Sequence, residues 1–357
     1  MKKIVFFIHN LFAKAGTERV TTIIANELSN YYEVEIVSLY KTAQKPFFDI
    51  NKNIKVNYIF EMDPLPIKSG WLKNRKKVKA FLNNYKDTDI FICVDTSMMP
   101  YCVFLNKYTR VMVWEHFNSN FGKVGGFSWL GRKLASKYDI ETIVLTKKDL
   151  RINQKRFKTK RVYQIYNPVE FEVPNTEYDI NSKQIISVGR INIQKGFDMI
   201  PSFAKEIFDK HPDWQWHIYG DCDNEEGEKL KKAIKEVGFE KNVILKGVSN
   251  KIKEVYPKYS FYVLTSRFEG FAMVSIEAHS FKLPIVSFDC ECGPDEIIQD
   301  GINGYLVDCF NTKEMAQKIN YLIEHPDERK KMSDNTSLDK DKLMLKNVVE
   351  EWKKILG

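Results

Sequence analysis

The sequence predicts an α/β protein made of two successive doubly wound parallel sheets, and three observations predict it. The first is length: 357 residues exceed what one hydrophobic core sustains, so two domains of roughly 150 to 200 residues are expected. The second is rhythm. Short β-branched and aromatic runs alternate with helical patterns of about 10 to 30 residues, the spacing of βαβ units. The third is a lapse in that rhythm at residues 167–181, NPVEFEVPNTEYDIN, whose prolines and acidic residues read as a domain linker. The domains are therefore placed at 1–170 and 182–340.

In the N-terminal domain the predicted strands are KIVFFIH, EVEIVSLY, KVNYIF, IFICVD, RVMVWEH, ETIVLT and VYQIYN. The clearest intervening helix runs from Thr17 to Asn30, with Val20, Ile23, Ile24, Glu27 and Leu28 spaced to give one buried and one wet face. The opening stretch reads as a first strand and not as a signal peptide, because His9 and Asn10 end its apolar run. Beyond the linker the strands are QIISVGR, QWHIYGD, NVILKG, FYVLTS, PIVSFD and GYLV. A final charged helix at about 343–357 has no following strand and is expected to pack back across the domains onto the N-terminal one. Two doubly wound sheets are expected to hold a ligand in a cleft at the carboxyl ends of their strands.

Composition narrows the function. Hydrophobic residues make up 43% and charged residues 29% of the chain, which suits a soluble globular protein. No run approaches the 18 or so apolar residues of a membrane span. The six cysteines are scattered and read as cytoplasmic thiols. The formal net charge is +8, and between Pro64 and Lys86 there are seven basic residues and no acidic one. A second basic cluster spans Lys147 to Arg161. Both invite an anionic partner. Nucleic acid is not expected, because stacking aromatics and recognised binding motifs are missing. On a helix, Leu72, Val78, Phe81, Leu82 and Tyr85 form an apolar side opposite Lys73, Arg75, Lys76, Lys77 and Lys79, which predicts contact with an anionic membrane surface.

The usual nucleotide fingerprints, G-x-G-x-x-G after the first strand and the phosphate-loop pattern, are also missing. Other stretches converge on phosphate. In VGRINIQKG, Arg190 and Lys195 leave the carboxyl end of a strand just before a helix. An arginine fork and a lysine point charge together suit a diphosphate. In RFEGFAMVSIEAH, two glutamates bracket an apolar run and demand partners. With a helix starting at Phe271, the amides of Phe271, Ala272 and Met273 would offer unpaired N–H groups to an anion. Glu277, about two turns in, is expected to take the hydroxyls of a ribose, and Glu269 the group beyond the phosphates.

VGRINIQKG, RFEGFAMVSIEAHSFKLPIV with glutamates eight apart, CGPDEIIQDGINGYLV, IHNLFAKAGTERV, WEHFN and YNPVE fall in an order that resembles the family 4 retaining glycosyltransferases of the GT-B fold. The resemblance covers nearly the whole chain. It implies that Arg190 and Lys195 bind the donor pyrophosphate and that Glu277 holds the ribose. Glu269 and the amides of Phe271, Ala272 and Met273 would hold the transferred sugar. Gly16 would let backbone approach the phosphates, although this chain has Ala15-Gly16 where family members often show two glycines. His116 matches a histidine that faces the donor sugar, and Val248 a position whose backbone reads the base.

Asp221-Cys222-Asp223 follows a strand where the family has a plain turn, so no metal and no cofactor are expected. The expected activity is retaining, metal-independent transfer of a hexose or N-acetylhexosamine from a nucleotide-diphosphate sugar, with UDP as the nucleotide. The expected acceptor is a hydroxyl of a glycan, lipid-linked, in bacterial surface polysaccharide assembly. That places the protein in the cytoplasm, peripheral on the inner face of the membrane. The rivals are a sugar-nucleotide epimerase of the same fold and a non-catalytic scaffold subunit; a scaffold has no need of Arg190, Lys195, Glu269 and Glu277 together.

Overall fold

A computed structural model of the chain describes residues 1–120, 123–169, 177–337 and 340–357. The chain divides into two compact units, Met1–Glu170 with Asp341–Gly357, and Phe171–Lys340. Of the expected linker, residues 170–176 lie outside the described residues.

The first unit is built on seven parallel strands: β1 (Lys3–Ile8), β2 (Glu33–Tyr40), β3 (Lys55–Phe60), β4 (Ile90–Val94), β5 (Arg110–Trp114), β6 (Glu141–Val144) and β7 (Val162–Gln164), in the order β3-β2-β1-β4-β5-β6-β7. Central strands buried on both faces read as continuous apolar runs, which is why β1 and β4 were legible. Ile4 of β1 pairs with Val34 on one side and Ile90 on the other. Val5, Phe7, Phe91 and Val113 fill one face of the sheet.

The basic helix Ile67–Leu82 covers that face. Val78 and Leu82 from this helix, with Tyr85 just after it, belong to the same core. Its apolar side is therefore spent on packing, apart from Leu72, which stays 57% exposed. The cationic residues Lys73, Arg75, Lys76, Lys77 and Lys79 remain exposed, as does Leu72.

The other face of this sheet takes the final helix, which begins at Leu345, two residues later than expected, and ends at Leu356. Trp352 is fully buried there, 4.7 Å from Trp114 and 6.4 Å from Phe6 between ring centroids. Arg110, at the start of β5, donates to the Ile355 carbonyl at 2.7 Å. A cation at a helix C-terminus meets the partial negative charge of its unpaired carbonyls. A single bridge, Val169 to Met344, ties down the start of the segment.

The second unit carries six parallel strands: β8 (Gln184–Val188), β9 (Gln215–Tyr219), β10 (Val243–Gly247), β11 (Phe261–Leu264), β12 (Ile285–Phe288) and β13 (Gly304–Val307), in the order β10-β9-β8-β11-β12-β13. Ile185, Trp216, Phe261, Val263 and Val286 form its core with Phe203 and Ile207 of the helix Ile200–Phe208 and Ile319 of the helix Thr312–Glu324. Among the described residues no helix is long and apolar enough to cross a membrane.

Candidate active site

In each sheet one pair of neighbouring strands is where the winding reverses: β1 and β4 in the first unit, β8 and β11 in the second. Connections leaving such a pair diverge to opposite faces, and the crevice outside their carboxyl ends is where open α/β sheets bind ligands. In the second unit, the loop after β8 carries Arg190 and Lys195, and the loop after β11 carries Glu269. The structure brings two of the three together. Lys195 Nζ lies 2.7 Å from Glu269 Oε1, with side-chain exposures of 14% and 7%.

The Ser266 hydroxyl donates to the same Glu269 oxygen at 2.5 Å. Glu269 thus has protein partners, where the sequence had suggested only ligand hydroxyls. Lys195 reaches it by lying along Gly189, where an added Cβ would stand 3.1 Å from Lys195 Cε. Arg190, five positions before Lys195, is exposed and among the described residues makes no ion pair or hydrogen bond. The result is one free cation and one cation shared with a carboxylate at the end of β8.

The helix after β11 spans Met273–Ser280, starting two residues later than the sequence suggested. Ala272 is its N-cap and adopts φ 47°, ψ 54°, a left-handed conformation that costs a non-glycine residue about 1 kcal/mol or more. Phe271 and Ala272, each 3% exposed, therefore belong to the loop, and only the Met273 amide belongs to the helix. Gly293 from the next loop has φ 111°, and a Cβ there would meet Phe271 backbone at 3.2 Å. The later start also puts Glu277 about one turn into the helix and not two. Glu277 is 9% exposed and accepts from the Tyr256 hydroxyl at 3.3 Å. Tyr256 is stacked on Phe281 at 5.2 Å.

Val248 follows β10 and is 61% exposed. The Asp221 carboxylate accepts the Asp223 amide at 3.1 Å, and Asn224 then caps the helix Glu225–Glu236. Among the described residues, no group of three or more His, Cys, Asp or Glu stands close enough to hold a metal.

In the first unit, Gly16 is the first residue of the helix Gly16–Leu28 after β1, with nothing within 4 Å of an added Cβ. His116 follows β5 and is 8% exposed, its ring 4.3 Å from that of Trp114. Among the described residues its Nε2 has no partner. Burial lowers its pKa to about 3, so the imidazole is neutral at physiological pH and able to donate or accept one hydrogen bond. The adjacent Glu115 is paired with Arg132 at 2.9 Å, the two side chains 1% and 2% exposed. Glu115 also accepts from the Thr96 hydroxyl at 2.6 Å. Sequence reasoning missed this pair, although a carboxylate next to a strand-end histidine was its one visible signal.

Glu269, Glu277, Arg190 and Lys195 thus all lie on the segments that follow β8 and β11, the two strands of the switch point. Residues 170–339 match the family described as glycosyl transferases group 1. The chain is 32% identical over 359 residues, 100% of both chains, to an uncharacterized glycosyltransferase of Haemophilus influenzae. The chain belongs to the glycosyl transferases group 1 family. This glycosyltransferase is also 25% identical over 366 residues, 100% of its own length and 99% of the relative's, to a Campylobacter jejuni enzyme. That enzyme is named GalNAc-alpha-(1->4)-GalNAc-alpha-(1->3)-diNAcBac-PP-undecaprenol alpha-1,4-N-acetyl-D-galactosaminyltransferase. Its fold is GT-B: a crystal structure of a TarM mutant from S. aureus with fondaparinux, alpha-GlcNAc-glycerol and UDP superposes with TM-score 0.83 at 18% identity, covering 100% of both chains.

Proposed function

We propose that the protein transfers a hexose or N-acetylhexosamine from a UDP-sugar to a hydroxyl of a glycan acceptor, with retention of configuration and without a metal. The observation that carries this reading is the Lys195–Glu269 pair at 2.7 Å, with Arg190, unpaired among the described residues, on the same loop after β8 as Lys195. A diphosphate entering between the two cations would take Lys195 from Glu269, and the freed carboxylate would then accept a sugar hydroxyl. Arg190 and Lys195 would neutralise the leaving diphosphate, the electrostatic contribution that is usually largest in such a transfer. Glu277, held by Tyr256, suits a ribose, and the exposed turn at Val248 lies open to the base. The leaving phosphate would help deprotonate the acceptor on the same face. His116, neutral and with a free Nε2, would donate to or accept from a hydroxyl of the reacting sugar.

The test is to incubate pure protein with a panel of nucleotide sugars and follow nucleotide release, with and without EDTA. One UDP-sugar should be consumed at the same rate in both conditions; no consumption of any nucleotide sugar overturns the reading, and complete loss in EDTA with rescue by Mn²⁺ overturns its metal-free part.

A lipid-linked acceptor in bacterial surface polysaccharide assembly is the acceptor class we favour, supported by the undecaprenol-linked substrate in the Campylobacter relative's name. The cationic side of the helix Ile67–Leu82 would meet the anionic membrane that carries such an acceptor. Each basic residue near an anionic leaflet contributes about 1 kcal/mol. Vesicle sedimentation at low and high salt should then distinguish wild type from a variant with Lys73, Arg75, Lys76 and Lys77 changed to Ser; equal binding by both would remove this face from the proposal.

A further inference from the structure

Lys195 and Glu269 are 74 positions apart in sequence and sit on two different loops. Their contact needs something that fixes one loop against the other. Part of the fixing is backbone. The Arg267 amide donates to the Gln194 carbonyl at 2.8 Å, the Gln194 side chain donates to the Phe268 carbonyl at 3.2 Å, and the Thr265 hydroxyl donates to the Lys195 carbonyl at 2.9 Å. The loops approach so closely that Gly196, at φ 69°, has no room for a Cβ, which would stand 2.1 Å from the Thr265 carbonyl oxygen.

The outer side is closed by one side chain. The Arg267 guanidinium donates to both Asp198 carboxylate oxygens, at 2.7 and 2.6 Å, and to the Ile193 carbonyl at 2.7 Å. It therefore grips the loop before and after Lys195. A bidentate guanidinium–carboxylate pair fixes orientation as well as distance, because both groups are planar. Asp198 in turn lies in the tight turn Phe197–Met199 that leads into the helix Ile200–Phe208, so the grip ends on a rigid element.

We propose that Arg267 and Asp198 form a clasp that positions Lys195 against Glu269 and so pre-forms the donor site. Both are positioning residues: they hold the loop that carries the cation. The inference rests on the donor reading above for its effect on turnover, but the bonds of the clasp are made between groups of the chain itself. A partly exposed pair of this kind contributes little to global stability; here side-chain exposures are 25% for Arg267 and 51% for Asp198. Its expected effect is local order at a site where small misplacements of reacting groups slow the chemistry.

Hydrogen exchange of the unliganded protein tests the clasp, and kinetics on the donor test its purpose. In Arg267→Ala and in Asp198→Ala, amides of residues 191–199 should exchange about tenfold faster, with the melting temperature nearly unchanged. Turnover should fall about tenfold to a hundredfold, and UDP affinity, to which Lys195 contributes through the diphosphate, should fall by a smaller factor. The double variant should match Arg267→Ala, and Asp198→Glu should recover much of the wild-type rate. Unchanged exchange in both single variants overturns the clasp. So does full turnover in Asp198→Ala beside lost turnover in Arg267→Ala, which would mean that Arg267 touches the substrate itself. Faster exchange in a protein that turns over no nucleotide sugar supports the clasp and rejects the donor reading, so the two fail separately.

Discussion

The two units each bury a glutamate against a cation, and the two pairs are built for different ends. Glu115 and Arg132 are sealed, at 1% and 2% side-chain exposure, and Glu115 accepts from Arg132, the Thr96 hydroxyl and the Phe117 amide. Lys195 and Glu269 are shorter in distance but looser in setting, 14% and 7% exposed, with Lys195 lying along Gly189. A sealed pair repays the removal of two charges from water only when all its hydrogen bonds are met, and then it serves as framework. A pair left half open at a switch point can exchange one partner for a ligand. The first organises the strand end that carries His116; the second lies at the donor site proposed above.

Breaking the sealed pair should have the largest effect. Arg132→Ala leaves Glu115 buried and unpaired, which costs about 3–5 kcal/mol. Chemical denaturation followed by tryptophan fluorescence should show the loss, and a change below about 1 kcal/mol would place both pairs in the same class.

The next effect sharpens the contrast through pH. The His116 imidazole is neutral in the native state because burial lowers its pKa to about 3, whereas an unfolded histidine titrates near 6.5. Below that value the unfolded chain gains a proton that the native one refuses, so native stability falls as pH drops from about 6.5 toward 3. At pH 5 the loss from this one group is about 2 kcal/mol. Comparing stability at pH 7 and pH 5, His116→Gln should be less acid-sensitive than wild type by about that amount; equal sensitivity would mean that His116 takes up its proton in the native state.

On the open side, Glu277→Gln should weaken UDP binding by about 1–2 kcal/mol, roughly five- to thirtyfold, since one charge-assisted acceptor for the ribose is lost. Tyr256→Phe, which keeps the ring on Phe281 but loses the hydroxyl, should weaken it by less. Calorimetric titration with UDP checks both, and unaltered affinity in Glu277→Gln would remove it from the ribose.

The strands were legible because parallel strands covered on both faces are nearly continuous apolar runs, as in IFICV of β4. Arg190, Lys195, Glu269 and Glu277 were legible as residues because charges at strand ends and in short loops stand out from those runs. Their partners were not. Ser266 and Tyr256 hold the two glutamates, and neither residue type announces a bond to a particular carboxylate. Glu115 and Arg132 are 17 positions apart and meet only after the sheet has formed. The start of the helix at Met273 was misread because Ala272 takes a left-handed conformation that alanine does not signal. What the apolar side of Ile67–Leu82 packs against was not legible, because periodicity reports that one side is buried and is silent on what buries it.

Lys195→Ala separates an open, ligand-exchanging pair from a structural one most directly. We would measure kcat/KM on the UDP-sugar and the melting temperature of the same preparation. The open-site account predicts a fall of about 30- to 1000-fold, equivalent to about 2–4 kcal/mol of lost transition-state stabilisation, with melting lowered by only a few degrees. Unchanged kcat/KM, together with a melting temperature lowered as far as in Arg132→Ala, would show that the Lys195–Glu269 pair is framework and that the donor binds elsewhere.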